Sequence, residues 1–168
     1  MLTIRRATEA DWDEIWKIFH AVVREGDTYS YDPATTQEQG RALWMSPPAS
    51  AYVACRGDQV VGTYYFKPNQ PGLGSHVANA GYMVDSGEAG RGVGRAMCEH
   101  SLEEARRAGF LAMQFNFVVS TNERAVALWQ KMGFRIVGTL PKAFRHSRLG
   151  LVDAYVMHRF LNEPDPGP

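Results

Sequence analysis

The residues from Tyr82 to Ala108 place glycines, arginines and the start of a helix where a phosphate could be held. Tyr82, Met83 and Val84 read as the end of an apolar strand, and Asp85-Ser86-Gly87-Glu88-Ala89 as a turn. Gly90-Arg91-Gly92-Val93-Gly94-Arg95-Ala96 then opens a helix that continues to Arg107. Glycines let a phosphate approach the backbone, and the first helical turn offers unpaired N–H groups at the positive end of its dipole. Arg91 and Arg95 add charge at the same place. This is the chemistry of a diphosphate cradle for a nucleotide-like cofactor. Standing alone, the same glycines would also suit a ligand-free strand–helix turn.

Downstream, Asn122 to Phe134 reads as a short amphipathic helix stopped by Gly133. The two blocks together resemble motifs A and B of the GNAT superfamily of acetyl-CoA-dependent N-acetyltransferases. The resemblance implies acetyl-CoA as cosubstrate. It puts the diphosphate on the backbone of Arg91, Gly92, Val93, Gly94, Arg95 and Ala96, and the pantetheine arm on the Asn122 side chain. It also assigns acetyl-CoA contacts to the backbone of Met83 and Val84, on a strand that splays away from its parallel neighbour. Unpaired strand N–H groups in such a gap can polarise a thioester carbonyl. Read without the resemblance, both residues are apolar and would suit a core.

The elements that must carry these residues follow from periodicity. Leu2–Ala7 reads as a strand, and Thr8 with Asp11 caps a helix whose Trp12, Ile15, Trp16, Phe19, Val22 and Val23 fall at helical spacing until Gly26. Asp27 to Pro33 is a polar, aromatic loop, and Thr35 with Glu38 suits the capping box of a second helix reaching about Met45. Residues 51–56 and 59–67 flank Gly57-Asp58 as a β-hairpin. Strands follow at Ala78–Val84, 111–119, 134–140 and Val152–Leu161, with a loop over Pro141–Leu151. The order β-α-α-β-β-β-α-β-α-β-β is that of the GNAT fold. It predicts an α/β (α+β) protein with a central mixed seven-stranded sheet and helices on both faces. One domain spans 1–162, and 163–168 is expected to be a flexible tail.

Gly62–Asn69, Ser75–Tyr82 and Phe115–Asn122 are also similar to segments of the yeast azetidine-2-carboxylate acetyltransferases, which N-acetylate a toxic cyclic analogue of proline. That likeness puts the substrate-binding, catalytic asparagine on Asn79 and carboxylate contacts on Asn116 and Phe117. A buried amide needs partners, and either a substrate or neighbouring backbone satisfies Asn79 and Asn116. Tyr29 and Tyr31 either line the acceptor pocket or pack the loop down. His76, three residues before Asn79, is the histidine nearest the predicted site in sequence. Two positions depart from the family: Ala89 stands where many members carry Gln or Arg, and Trp129 replaces a frequent general-acid tyrosine. An indole cannot protonate a thiolate, so catalysis would rest on positioning and backbone polarisation.

Composition narrows the partners. The 168 residues carry zero formal net charge, which gives no global pull toward nucleic acid or an anionic membrane. Cys55 and Cys98 stand far apart without histidines at metal spacing, so neither a disulfide scaffold nor a metal site is expected. No leader or hydrophobic span is read, and a cytoplasmic protein that forms a homodimer is expected. The leading function is acetyl transfer to the amine of a small amino acid or analogue. Alternatives are a polyamine or protein N-terminus as acceptor, or a degenerate acyl-CoA-binding sensor.

Overall fold

The computed structural model describes residues 1–162; the expected tail, 163–168, lies outside the described residues. Strands β1 (Leu2–Arg6), β2 (Ser50–Arg56), β3 (Gln59–Pro68), β4 (Val77–Val84), β5 (Ala112–Val119), β6 (Arg135–His146) and β7 (Gly150–Phe160) form one seven-stranded sheet in the order β1-β2-β3-β4-β5-β7-β6. Helices α1 (Trp12–Glu25), α2 (Gln37–Trp44), α3 (Val93–Arg107) and α4 (Glu123–Lys131) intervene in the predicted order.

Alternation along the central strands divides the core into two layers. Tyr64 and Phe66 of β3 and Tyr82 of β4 join Met97, Leu102 and Met113 beneath α3. Their neighbours Tyr65 and Met83 point the other way, onto Ile15, Phe19 and Trp44 of α1 and α2. Helix α1 commits Ile15, Ile18, Phe19 and Val23 to that layer and ends at Gly26, whose φ of 63° is left-handed. Helix α4 differs: it buries no residue completely, and Ala125, Val126, Leu128 and Trp129 are left partly uncovered. On its apolar face, Leu128 lies beside Gly94 of α3.

Two boundaries differ from the sequence reading. The capping box of α2 is Thr36 with Gln39, because the Thr35 hydroxyl is already turned back onto the Asp32 carbonyl at 2.5 Å. The expected loop over 141–151 is mostly strand, since β6 runs on to His146 and β7 begins at Gly150. Pro141 is tolerated because β6 is the sheet edge and the register shifts between Leu140 and Phe144. There Lys142 adopts a φ of 51° and donates its N–H to Asp153 Oδ1 at 2.9 Å. No helix among the described residues is long and apolar enough to cross a membrane.

A buried acid ties β1 to the start of α1. Asp11 accepts two hydrogen bonds of 2.8 Å from Arg5 and one of 2.7 Å from the Thr8 N–H. The Arg5 hydrogen bonds outweigh desolvation and bring its carboxyl from about 3.8 down to about 2. A depressed folded value means that the stabilisation is complete above the unfolded value and is lost as pH falls from about 4 through about 2. Asp11→Asn should therefore be less stable than the parent at pH 7, and the gap should narrow steadily below pH 4. Urea titrations across that range check it; a gap independent of pH would contradict it.

Candidate active site

Strands β4 and β5 run parallel and pair only over Val77–Asn79 with Ala112–Gln114. Beyond that point they part, and the gap opens into a cleft of about 240 Å³. On the β5 side, Phe115 pairs with Met157 and Val118 with Tyr155, so Asn116 and Phe117 share a β-bulge opposite Val156. The bulge turns the predicted carboxylate-contacting pair out of the ladder and into the cleft lining. Asn116 Nδ2 donates to Asn69 Oδ1 at 2.6 Å, and Phe117 meets Phe144 edge-on at 6.1 Å.

Asn79 sits at the vertex of the split. Its Nδ2 donates to the Gln114 carbonyl at 3.0 Å and its Oδ1 accepts from the Tyr65 hydroxyl at 3.4 Å. The amide thus holds the two strands at their last paired residue and still lines the cleft, with one N–H and one lone pair uncommitted.

The opposite wall is the loop after α1. Tyr29 and Tyr31 stack at 5.7 Å and both line the cleft, and Tyr31 also packs on Phe19. The Tyr29 hydroxyl accepts the Tyr82 N–H at 2.7 Å and donates to the Tyr82 carbonyl at 2.6 Å. Both main-chain groups of Tyr82 therefore face the gap and are filled by one side chain. Burial pushes the hydroxyls of Tyr29, Tyr31 and Tyr65 above the usual tyrosine value, so all three stay protonated at neutral pH.

Backbone alternation separates the two predicted β4 contacts. The Asp85 N–H donates to Val61 of β3, which places the main chain of Met83 on the β3 side and that of Val84 on the gap side with Tyr82. Met83 is a buried core side chain, 2% exposed. Gly81 lies between the walls: a Cβ there would stand 2.9 Å from the Tyr65 ring and 3.4 Å from the Tyr29 hydroxyl.

The glycine cradle opens α3. Gly90 and Gly92 are left-handed at φ 77° and 83°, and Gly92 is the N-cap. A Cβ on Gly92 would meet only open space. Gly94 follows in the first turn, facing Leu128 of α4 and Val84 of β4. Arg91 pairs at 3.0 Å with Glu88, which Arg56 also holds at 2.8 Å, and Arg95 pairs with Glu99 at 2.8 Å in an exposed and therefore weak contact. Asn122 caps α4, its Oδ1 accepting the Ala125 N–H at 3.4 Å, and it also lines the cleft. Trp129 lines it too, 5.0 Å from Tyr82 and 5.1 Å from Phe115.

One cation beside the glycine turn was not singled out from the sequence. Arg124 on α4 brings its Nη2 to 3.2 Å from where a Cβ on Gly90 would lie. Its position, two residues after Asn122, was the available signal. By contrast, His76 lines a separate cavity with Leu111, His158 and Phe160, away from the cleft. Among the described residues, none of the cleft lining is charged, and no group of three His, Cys, Asp or Glu side chains is placed to hold a metal.

The fold and this cleft define an α/β protein in which a split parallel strand pair opens beside a glycine-capped helix N-terminus. Residues 12–134 match the acetyltransferase (GNAT) family, and the chain belongs to it. A solved GCN5-related N-acetyltransferase from Kribbella flavida is 48% identical, with a TM-score of 0.91 over 95% of this chain and 97% of that one. The L-amino acid N-acetyltransferase AaaT of Escherichia coli is 30% identical over 159 residues, 94% of this chain and 97% of AaaT. The N-acetyltransferase aca1 of Schizosaccharomyces pombe is 37% identical over 98 residues. That match covers 58% of this chain and 47% of aca1, so the chain spans about half the length of that relative.

Proposed function

We propose that this protein transfers an acetyl group from acetyl-CoA to the amine of a small amino acid or amino-acid analogue. The observation that carries this reading is the uncharged cleft at the strand split, walled by tyrosine hydroxyls and amides. Acetyl-CoA, when bound, supplies an activated acyl thioester. The cradle suits its diphosphate, because glycine leaves the approach to the α3 N-terminus open on the Gly92 side. The main chains of Arg91 to Ala96 take that role, and Asn122 and the gap-facing main chain of Val84 take the pantetheine arm. Met83 contributes packing behind them.

On the acceptor side, a zwitterion presents a carboxylate that neutral donors can satisfy. Asn79, Asn116 and the protonated tyrosines are such donors, with Phe117, Tyr29 and Tyr31 shaping the space. A polyamine would bring several cations into a cleft without a countercharge, which is costly. The relation to AaaT supports the same choice, since that protein is named for amino-acid acetylation. In the transfer, the amine nitrogen forms the new C–N bond as the C–S bond breaks. Among the described residues no carboxylate or imidazole lines the cleft; the amine proton passes to water, and the departing thiolate needs no side-chain acid near neutral pH. Trp129 is compatible with that route.

Mass analysis of products from acetyl-CoA and an equimolar mixture of amino acids, cyclic imino acids, polyamines and a peptide tests the reading. N-acetylated amino acid should dominate; acetylated polyamine or peptide as main product would overturn it. Arg124 should supply part of the charge that Ala89 does not. Arg124→Gln is expected to weaken acetyl-CoA about five- to tenfold while leaving acetyl-pantetheine unchanged, as the loss of one charge-assisted hydrogen bond would. Calorimetric titration of both ligands checks it, and equal weakening of both would exclude a phosphate contact.

A further inference from the structure

The tip of the β6–β7 hairpin closes the end of α1, although the two are far apart in sequence. Ser147 donates its N–H to the Gly26 carbonyl at 2.9 Å and its hydroxyl to the Glu25 carbonyl at 2.8 Å. These belong to the carbonyls that a helix C-terminus leaves unpaired. Arg148 comes within 3.7 Å of Asp27, a cation at the negative end of the α1 dipole. Gly26 is required twice: its φ is left-handed, and a Cβ there would stand 3.2 Å from Ser147 Cβ. The tip itself is shaped by the buried His146, whose Nδ1 accepts the N–H groups of Arg148 at 3.0 Å and Leu149 at 3.2 Å.

The chain leaving this joint becomes the acceptor wall. Thr28 begins the cleft lining, and Tyr29 plugs the main chain of Tyr82. The same hairpin supports the other wall, because Phe144 packs on Phe117 of the β5 bulge. Both walls thus lean on one hairpin, while the α3 cradle lies elsewhere. We propose that the β6–β7 tip is the strap that sets the acceptor cleft, with Ser147 as a positioning residue for the acceptor and not for acetyl-CoA. Only its kinetic consequence rests on the function proposed above.

Ser147→Ala removes the hydroxyl donor, and Ser147→Thr restores one. In the full chain, hydrogen exchange of the amides in 27–31 should quicken about tenfold in Ser147→Ala, the scale of one lost hydrogen bond, and return in Ser147→Thr. With the amino acid that the wild type acetylates best, acceptor KM should rise about fivefold while kcat and acetyl-CoA affinity stay within twofold. Unchanged exchange in 27–31 would overturn the strap. So would an unmoved acceptor KM, or a KM and an acetyl-CoA Kd that rise together. Should the wild type acetylate no amine, transfer itself fails, and exchange alone decides: quickening confined to 27–31 sustains the strap, and none overturns it.

Discussion

Gly94→Glu is expected to weaken acetyl-CoA binding at least about a hundredfold in a protein that stays folded. A Cβ at Gly94 would stand 3.7 Å from Leu128 Cδ2 and 3.8 Å from Val84 Cγ2, ordinary contact that forces nothing to move. A glutamate in the first turn of a helix also complements the dipole, so α3 loses nothing by carrying it. The carboxylate would add a negative charge beside Leu128 and Val84, next to the main chain proposed to hold the diphosphate. Unit charges about 4 Å apart near a protein surface repel by roughly 4 kcal/mol, more than a hundredfold in affinity needs. Gly92→Glu would act similarly, but its φ of 83° adds backbone strain, so the Gly94 variant is the cleaner test. Titration calorimetry alongside a melting curve decides it: a folded variant that binds acetyl-CoA normally would remove the cradle assignment.

Asn79→Ala is expected to lower acceptor turnover by about a hundredfold while acetyl-CoA affinity moves less than about threefold. The amide holds the vertex of the split and also lines the cleft proposed for the acceptor, so two kinds of loss must be told apart. If its bond to Gln114 mainly holds β4 to β5, removing it lowers the melting temperature and weakens both ligands, since Val84 and Asn116 are carried by those strands. If it mainly meets the acceptor, stability falls only by about 1 kcal/mol and the kinetic loss stands apart. Asn79→Asp sharpens the contrast by keeping the size and placing a carboxylate opposite the Gln114 carbonyl. Joint loss of stability and both ligands would contradict a recognition role for Asn79.

Local chemistry explains which parts of this structure could be read from the sequence. The order of elements, the hairpin at Gly57-Asp58, the cap at Asn122 and the glycine-opened α3 all rest on residues within a few positions of each other. What escaped depends on pairing between distant segments. Pro141 argues locally for a loop, yet the edge position of β6 and the bond from Lys142 to Asp153 across the ladder keep this stretch in the strand. The bulge at Asn116 and Phe117 is visible only against β7, and the side of the strand that Met83 presents is visible only against β3. The same holds for Tyr29, whose partner Tyr82 lies 53 residues away. Asn79 was legible as a polar residue in an apolar strand, but its bond to Gln114 shows a structural duty beside the proposed one.

The most direct single measurement is the initial rate of free thiol release from acetyl-CoA, with and without small amino acids, spermidine or a short peptide. Acetyl transfer within an uncharged cleft predicts release that depends on the amino acid and saturates with it, while spermidine and peptide leave the rate near background. Release stimulated by spermidine and not by amino acids would contradict the proposed acceptor, and tight acetyl-CoA binding without stimulation by any amine would make the protein a binding module.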